Sequence, residues 1–527
     1  MISSNYAEFP TASTPTMQHA MNDSTVESRV ETVDESLMVG SSLPLIREFC
    51  LAMTAQQINY CHWKSNQAID RTARGDNDLD LLVARNDIGK FTAILYQFGF
   101  KEAYAPEDQQ MPGVQDYYGY DEPSGRIVHV HAHYQLIIGQ DMTKNYHLPI
   151  EKAYLASSIS DELFRVADPA FELIVFVIRM IIKHATLDTM LGGLGHLGKV
   201  ERRELDYLQA KADPERVKTL LQEHLAFIPL ECFERCQQAL QVGSSTWLRI
   251  RAGWDLQKRL GAYTRSGYIS DSVRKIWRRA TWKVRRLFFG KTSQRRLARG
   301  GALIAVVGGD GSGKTTTINE LYSWLAADFD VTKVHLGKPA RSLATRTVRA
   351  TLKAIRSITF TPYVEDLSVF YEPDMPISRF TAYELVLRAL CVARDRYREF
   401  VKARRMATSG RLVICDRFPL AQIKMMEAPQ IERIWHGKRK NRLLRQMEKL
   451  EKEYNQLILP PELLIVLQID PEIAVKRRAG ERALPVQLRN QEIMEVPWDQ
   501  SHAYVVNTSR PKEEIMVELK KMVWAKL

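Results

Sequence analysis

The chain has 527 residues, too many for one ordinary domain and enough for two or three separate cores. Its composition is that of a soluble globular protein. The excess of 74 Lys and Arg over 62 Asp and Glu gives a net charge of +12. That favours anionic partners without choosing among nucleotides, nucleic acid and acidic membrane surfaces.

Residues 1–40 are rich in Ser, Thr, Asn and acids, carry no signal-peptide pattern and read as a disordered tail. Residues 41–155 mix helix and strand and form the first predicted domain. Leu79-Asp80-Leu81-Leu82-Val83 reads as a strand, as does Arg126-Ile127-Val128-His129-Val130-His131-Ala132-His133. Asp78 and Asp80, at i and i+2, share a face and are a candidate metal pair for nucleotidyl transfer. His129, His131 and His133 also share a face. They either line a polar cleft or ligate a metal such as zinc. The six cysteines are scattered and show no CxxC pair, which suits a reduced, cytoplasmic setting.

Residues 156–271 have helical spacing. Asp168-Pro169 opens an apolar helix whose core, Phe171 to Ile182, is too short to span a bilayer and predicts burial. Residues 272–300 form a basic linker helix, with Arg274, Lys275, Arg278, Arg279, Lys283, Arg285 and Arg286 among its cations and no acid. Val273, Trp277, Ala280, Val284 and Leu287 fall near one face. That pattern suits packing between domains, an anionic membrane surface or phosphate contacts. No motif for reading a specific nucleic acid accompanies it.

A third unit, 301–527, opens with the apolar strand Ala302 to Val307. Gly308-Gly309-Asp310-Gly311-Ser312-Gly313-Lys314-Thr315 follows and matches GxxxxGK[ST] in full, with Thr316 and an amphipathic helix behind it. Glycines let consecutive N–H groups turn toward phosphate oxygens, and the helix N-terminus adds partial positive charge. Lys314 is placed to reach the β- and γ-phosphates of ATP, and the Thr315 hydroxyl to hold Mg²⁺. A second apolar strand ends at Asp416-Arg417, where an acid can order magnesium. A third, Leu463 to Asp470, precedes a basic segment carrying Arg478 and Arg482, which suits a lid over the transferring phosphoryl group. A last strand is predicted at His502 to Val506.

Gly309 to Thr316, Val413 to Phe418 and Ala393-Arg394-Asp395-Arg396-Tyr397 together resemble the thymidylate kinase family of P-loop nucleoside monophosphate kinases. The resemblance implies a doubly wound parallel sheet of P-loop NTPase type. It also implies that Arg396 grips the acceptor phosphate, that Asp310 contacts the acceptor sugar and that Arg417 lies near the acceptor. The family's Arg-Glu-Pro segment is Leu336-Gly337-Lys338-Pro339 here, without the glutamate, and residues 340–376 read as an insertion, Arg-rich and then aromatic. The resemblance therefore implies phosphoryl transfer from ATP and leaves the acceptor open. Relatives of this type accompany surface-polysaccharide genes.

Trp63-Lys64-Ser65 with Gly75 to Val83, Ile127 to His131 and the region from Asp168 to His184 resemble the nucleotidyltransferase fold, an α+β domain. The usual glycine before the serine is Lys64, and His129 stands where a third carboxylate is expected.

The resulting expectation is an α/β protein with an N-terminal nucleotidyltransferase-like domain, a helical middle and a C-terminal kinase-like domain. Lys314, Asp416, Arg417, Arg478 and Arg482 are its catalytic candidates. Gly308 to Thr316 are the candidates for ATP, and Thr315, Asp416, Asp78 and Asp80 for metal. The partner is a small-molecule phosphate acceptor, either a nucleoside monophosphate or a glycan-related compound. An anionic membrane surface at 272–300 and a homodimer stay open, placing the protein in the cytoplasm or on the inner face of the membrane. The rival functions are nucleotidyl transfer and a nucleotide-gated scaffold.

Overall fold

Two sheets of different character account for the two α/β patterns. The computed structural model describes residues 42–106, 109–111, 113–140, 142–185, 196–289, 294–360, 378–435 and 440–527. The tail at 1–40 and the aromatic half of the 340–376 insertion lie outside the described residues.

The N-terminal sheet is mixed and eight-stranded. Its strands are β1 (Tyr60–His62), β2 (Leu79–Val83), β3 (Lys101–Tyr104), β4 (Val114–Asp121), β5 (Arg126–His133), β8 (Ile159–Asp161), β9 (Phe164–Val166) and β10 (Arg296–Leu297), in the order β10-β3-β4-β5-β2-β1-β9-β8. A small hairpin of β6 (Leu136–Ile138) and β7 (Tyr146–Leu148) stands apart. The sheet extends past the predicted boundary at 155 through β8 and β9, and recruits β10 from the far end of the basic linker. Neither was legible, because two- and three-residue strands carry no alternation to read.

After β9 the chain turns helical. The apolar run forms the helix Pro169–His184, capped by Asp168, whose side chain accepts from Ala170 N at 2.8 Å. The run is buried on nearly all sides, under helices Lys199–Lys211, Pro214–His224, Leu230–Leu240 and Thr246–Arg259. No described helix is long and apolar enough to cross a membrane.

The basic segment forms the helix Tyr268–Phe289. It is amphipathic in an inverted sense. Asp271 and Lys275, paired at 2.8 Å, are buried on its inner face, with Arg278 and Trp282 one and two turns on. Ile269, Val273, Ile276, Trp277, Val284 and Leu287 are exposed on the outer face.

The C-terminal sheet is all parallel. It contains β11 (Leu303–Gly308), β12 (Val331–His335), β13 (Leu412–Asp416), β14 (Leu463–Gln468) and β15 (Ala503–Asn507), in the order β12-β13-β11-β14-β15. Continuous apolar runs suit strands covered on both faces. The chain leaves central β11 toward β12 and β13 on one side, and later fills β14 and β15 on the other. The loop after β11 therefore opens at a topological switch point, where ligands of open α/β sheets bind.

The two sheets are not independent. Tyr118 and Tyr120 of β4 share one apolar core with Ile304, Leu321, Phe329 and Trp524. Trp524 donates from Nε1 to Gly99 O at 3.1 Å, and β10 ties the linker to β3.

Candidate functional site

The loop Gly308–Gly313 joins β11 to the helix Lys314–Leu325 and is shaped by glycine. Gly311 and Gly313 have φ of +82° and +87°, which side chains resist. A Cβ on Gly309 would lie 2.0 Å from Asn490 Oδ1. Asn490 is buried and donates from Nδ2 to Asp310 O at 2.9 Å, bracing the loop from the helix Ala483–Glu495. The Lys314 ammonium folds back onto Gly309 O at 2.6 Å. Its burial, and next the nearby Arg417, push its pKa down to about 8, against the pull of Asp310, Asp416 and Glu427. Thr315 and Thr316 are exposed on the first helical turn.

Asp310 is the electrostatic hub of this loop. Its carboxylate takes Arg489 Nη1 at 2.7 Å and Arg417 Nη2 at 3.3 Å. Arg417 adopts φ of +58° at the end of β13 and also lies 3.6 Å from Glu427 Oε1. Gly337 makes room for it, since a Cβ there would come within 2.7 Å of Arg417 Cδ and 3.0 Å of Glu427 Oε1. The Glu427 carboxylate thus stands beside the 336–339 segment. Asp416 ends β13 with Oδ2 3.8 Å from His335 Nε2, while its buried Oδ1 has no hydrogen-bond partner among the described residues.

Three candidate arginines stand differently from the expectation. Arg396 is buried and donates from Nε to Leu336 O at 2.8 Å and from Nη1 to Glu427 O at 2.6 Å. It ties two loops together and does not present those donors to a cleft. Arg478 pairs with Glu481 at 2.9 Å in solvent, and Arg482 is exposed. Arg477 reaches the loop instead, donating to Gly311 O at 3.4 Å, and Arg489 enters from the next helix. Arg489, Asn490 and Glu427 were invisible in the sequence because no motif surrounds them and only the fold brings them to the loop.

A second polar cluster lies in the N-terminal sheet. Register pairs Asp80 with His131 across β2 and β5, and Asp116 with His131 across β4 and β5. The three histidines do share a face, but they divide between acids. His129 bridges Asp78 at 3.0 Å and Asp116 at 2.9 Å. Against the cost of burial, those two carboxylates raise its pKa to about 9, so it is an imidazolium at neutral pH. Asp80 Oδ1 meets Lys64 Nζ at 2.8 Å and His131 Nδ1 at 3.2 Å. Asp78 and Asp80 therefore face different cations. A further carboxylate, Asp116, lies on the neighbouring strand β4 and also meets Arg295 Nε at 3.4 Å. Its place on the face of Tyr118 and Tyr120 was the available signal. Tyr118 stacks on His129 at 4.5 Å and meets Phe329 edge-on at 4.9 Å, so an aromatic column joins this cluster to the C-terminal sheet.

A cavity of about 920 Å³ opens on this second cluster, lined by Asp116, His131, Arg85 and Arg295 and walled by Arg278 and Trp282 of the linker helix.

No family model matches the chain. It is 25% identical over 235 residues to the uncharacterized ATP-binding protein YghR of Escherichia coli strain K12, an alignment covering 42% of this chain and 86% of that protein. It is 24% identical over 218 residues to the uncharacterized ATP-binding protein YghS of the same strain, covering 41% of this chain and 89% of that protein.

Proposed function

We propose that the C-terminal domain binds Mg-ATP at Gly308–Thr316 and transfers its γ-phosphoryl group to a small-molecule acceptor, a nucleoside monophosphate or a glycan-related compound. The observation that carries this reading is the convergence on one glycine loop of a buried lysine and three arginines, Arg417, Arg477 and Arg489, drawn from three separate segments. The names of YghR and YghS as ATP-binding proteins agree with the nucleotide part of it.

The residues fit magnesium. The Thr315 hydroxyl on the first turn and Asp416 Oδ1, unpartnered among the described residues, would hold it, directly or through water. When bound, the ion supplies charge neutralisation between the β- and γ-phosphates. The rest is the work of the chain. Loop N–H groups orient the triphosphate. Lys314 exchanges the Gly309 carbonyl for phosphate oxygen. Arg417 and Arg489, held by Asp310, stand ready to compensate charge on the transferring group, and Glu427 also pairs with Arg417. The test is acceptor-dependent ADP formation across a panel of nucleoside monophosphates and phosphosugars. Lys314→Ala abolishes it and Asp78→Ala leaves it intact. Equal turnover in Lys314→Ala would overturn the reading.

We further propose that helix Tyr268–Phe289 holds the protein on an anionic membrane surface, because its exposed apolar face is flanked by Arg274, Arg279 and Lys283. Co-sedimentation with phosphatidylserine vesicles should be lost in Ile276→Ser/Trp277→Ser. Undiminished sedimentation of that variant refutes it.

A further inference from the structure

We infer that Asp80, His131 and His133 form a site for one divalent transition-metal ion of the zinc class, with an open coordination position toward the basic cavity. The site is distinct from the glycine loop and does not depend on the kinase reading.

The geometry carries the inference. His131 Nδ1 lies 3.2 Å from Asp80 Oδ1 and 3.3 Å from His133 Nε2, and Asp80 Oδ1 lies 3.8 Å from His133 Nε2. A point equidistant from the three atoms is about 2.0 Å from each, which is the bond length zinc makes with imidazole nitrogen and carboxylate oxygen. One ring nitrogen, His131 Nδ1, faces both other groups, and it carries either one proton or one lone pair. A proton satisfies one of these contacts well, whereas a cation at the centre satisfies all three.

The scaffold is rigid. His131 and His133 are alternate residues of β5, with Asp80 paired to His131 on β2, in the middle of the eight-stranded sheet. His133 is 1% exposed and stacks edge-on against Trp63 at 4.9 Å. Asp116 stands 3.8 Å from His131 Nε2, on the side from which a carboxylate orients a ligating imidazole.

Ligand chemistry selects the ion. Two imidazoles and one carboxylate suit zinc, iron or cobalt, while magnesium prefers an all-oxygen set. Three protein ligands leave a position for water or an anion. His131 lines the cavity, and Arg85, Arg278 and Arg295 give that cavity the charge to draw an anionic ligand. Lys64 Nζ, 2.8 Å from Asp80 Oδ1, competes with the ion for that oxygen.

The experiment uses the untagged full chain, stripped with a chelator and titrated with zinc against a chromophoric competitor, with millimolar magnesium present. One equivalent is expected to bind. His131→Ala and His133→Ala should each weaken binding by about a hundredfold or more, while His129→Gln, outside the triad, should keep the stoichiometry. Lys64→Met should tighten binding. Cobalt in place of zinc should give visible d–d absorption that His133→Ala removes. Because each ligand variant could also unsettle the sheet, urea unfolding followed by circular dichroism serves as the folding control in every sample. Absence of zinc binding in the wild-type chain, displacement by magnesium, or full retention of zinc in a well-folded His131→Ala chain each overturns the assignment.

Discussion

Raising the pH through 8 should loosen ATP from the glycine loop, because Lys314 loses its charge there. An exposed lysine stays protonated to above pH 10. Lys314 does not, because burial and then the Arg417 guanidinium bring its pKa down to about 8. Only the ammonium form attracts phosphate oxygens, so the bound state holds the proton and the free state gives it up. At pH 7 roughly nine in ten free molecules carry the charge, and at pH 9 roughly one in ten, so affinity should fall about tenfold, or ~1.4 kcal/mol. Asp310, Asp416 and Glu427 are the acids facing this group, and against the cost of burial the Arg489 hydrogen bond holds the Asp310 carboxyl below its ordinary range. The pKa of His335 is lowered, mainly by burial, so it is neutral throughout. The assay is a titration of the full chain with a fluorescent ATP analogue at fixed magnesium from pH 7 to 9.5. Lys314→Arg keeps its charge and should bind with a flat profile, whatever its absolute affinity. A flat wild-type profile, or a slope retained in Lys314→Arg, would refute the reasoning.

Three other outcomes follow from the packing. Gly309→Ala should weaken ATP binding about a hundredfold, or ~3 kcal/mol, because its Cβ would strike Asn490 Oδ1. The double variant Gly309→Ala/Asn490→Gly should recover part of that loss, and no recovery would show that the clash is not the cause. Arg396→Met should destabilise the chain to urea by about 2–4 kcal/mol, since the Leu336 and Glu427 carbonyls lose their donor. A raised acceptor KM with unchanged stability would instead assign Arg396 to the acceptor. Burial raises the pKa of Glu172 to about 7, against the donors of Asn66. The native state then holds a proton that the unfolded chain releases, so stability should fall as pH rises from about 4.5 to 7, by ~3 kcal/mol in all. Glu172→Gln should flatten that slope in urea unfolding, and identical slopes would contradict it.

What the sequence revealed was local in character. The loop from Gly308 to Thr315 is contiguous, its strand and helix are long, and the apolar run at 171–182 has only a buried solution. What it concealed depends on register and on distant approach. Asp116 joins His131 only because β4 pairs with β5, and Arg489 meets Asp310 across 179 residues of chain. Arg396 matched its motif, yet its donors went to backbone carbonyls, because a motif specifies a position and not which neighbours fold around it. The linker misled in another way. Its apolar stripe suited packing between domains, but Asp271, Lys275 and Arg278 turn inward and the apolar residues turn out.

The most direct test of the central claim is the fate of the two ends of ATP. The full chain should be incubated with magnesium and the acceptor panel, in parallel with γ-labelled and α-labelled ATP. The account predicts that γ-label moves to a small molecule, that α-label stays in ADP, and that Lys314→Ala stops the transfer. Label moving from the α-position, or γ-label appearing only as inorganic phosphate with every acceptor, would contradict it.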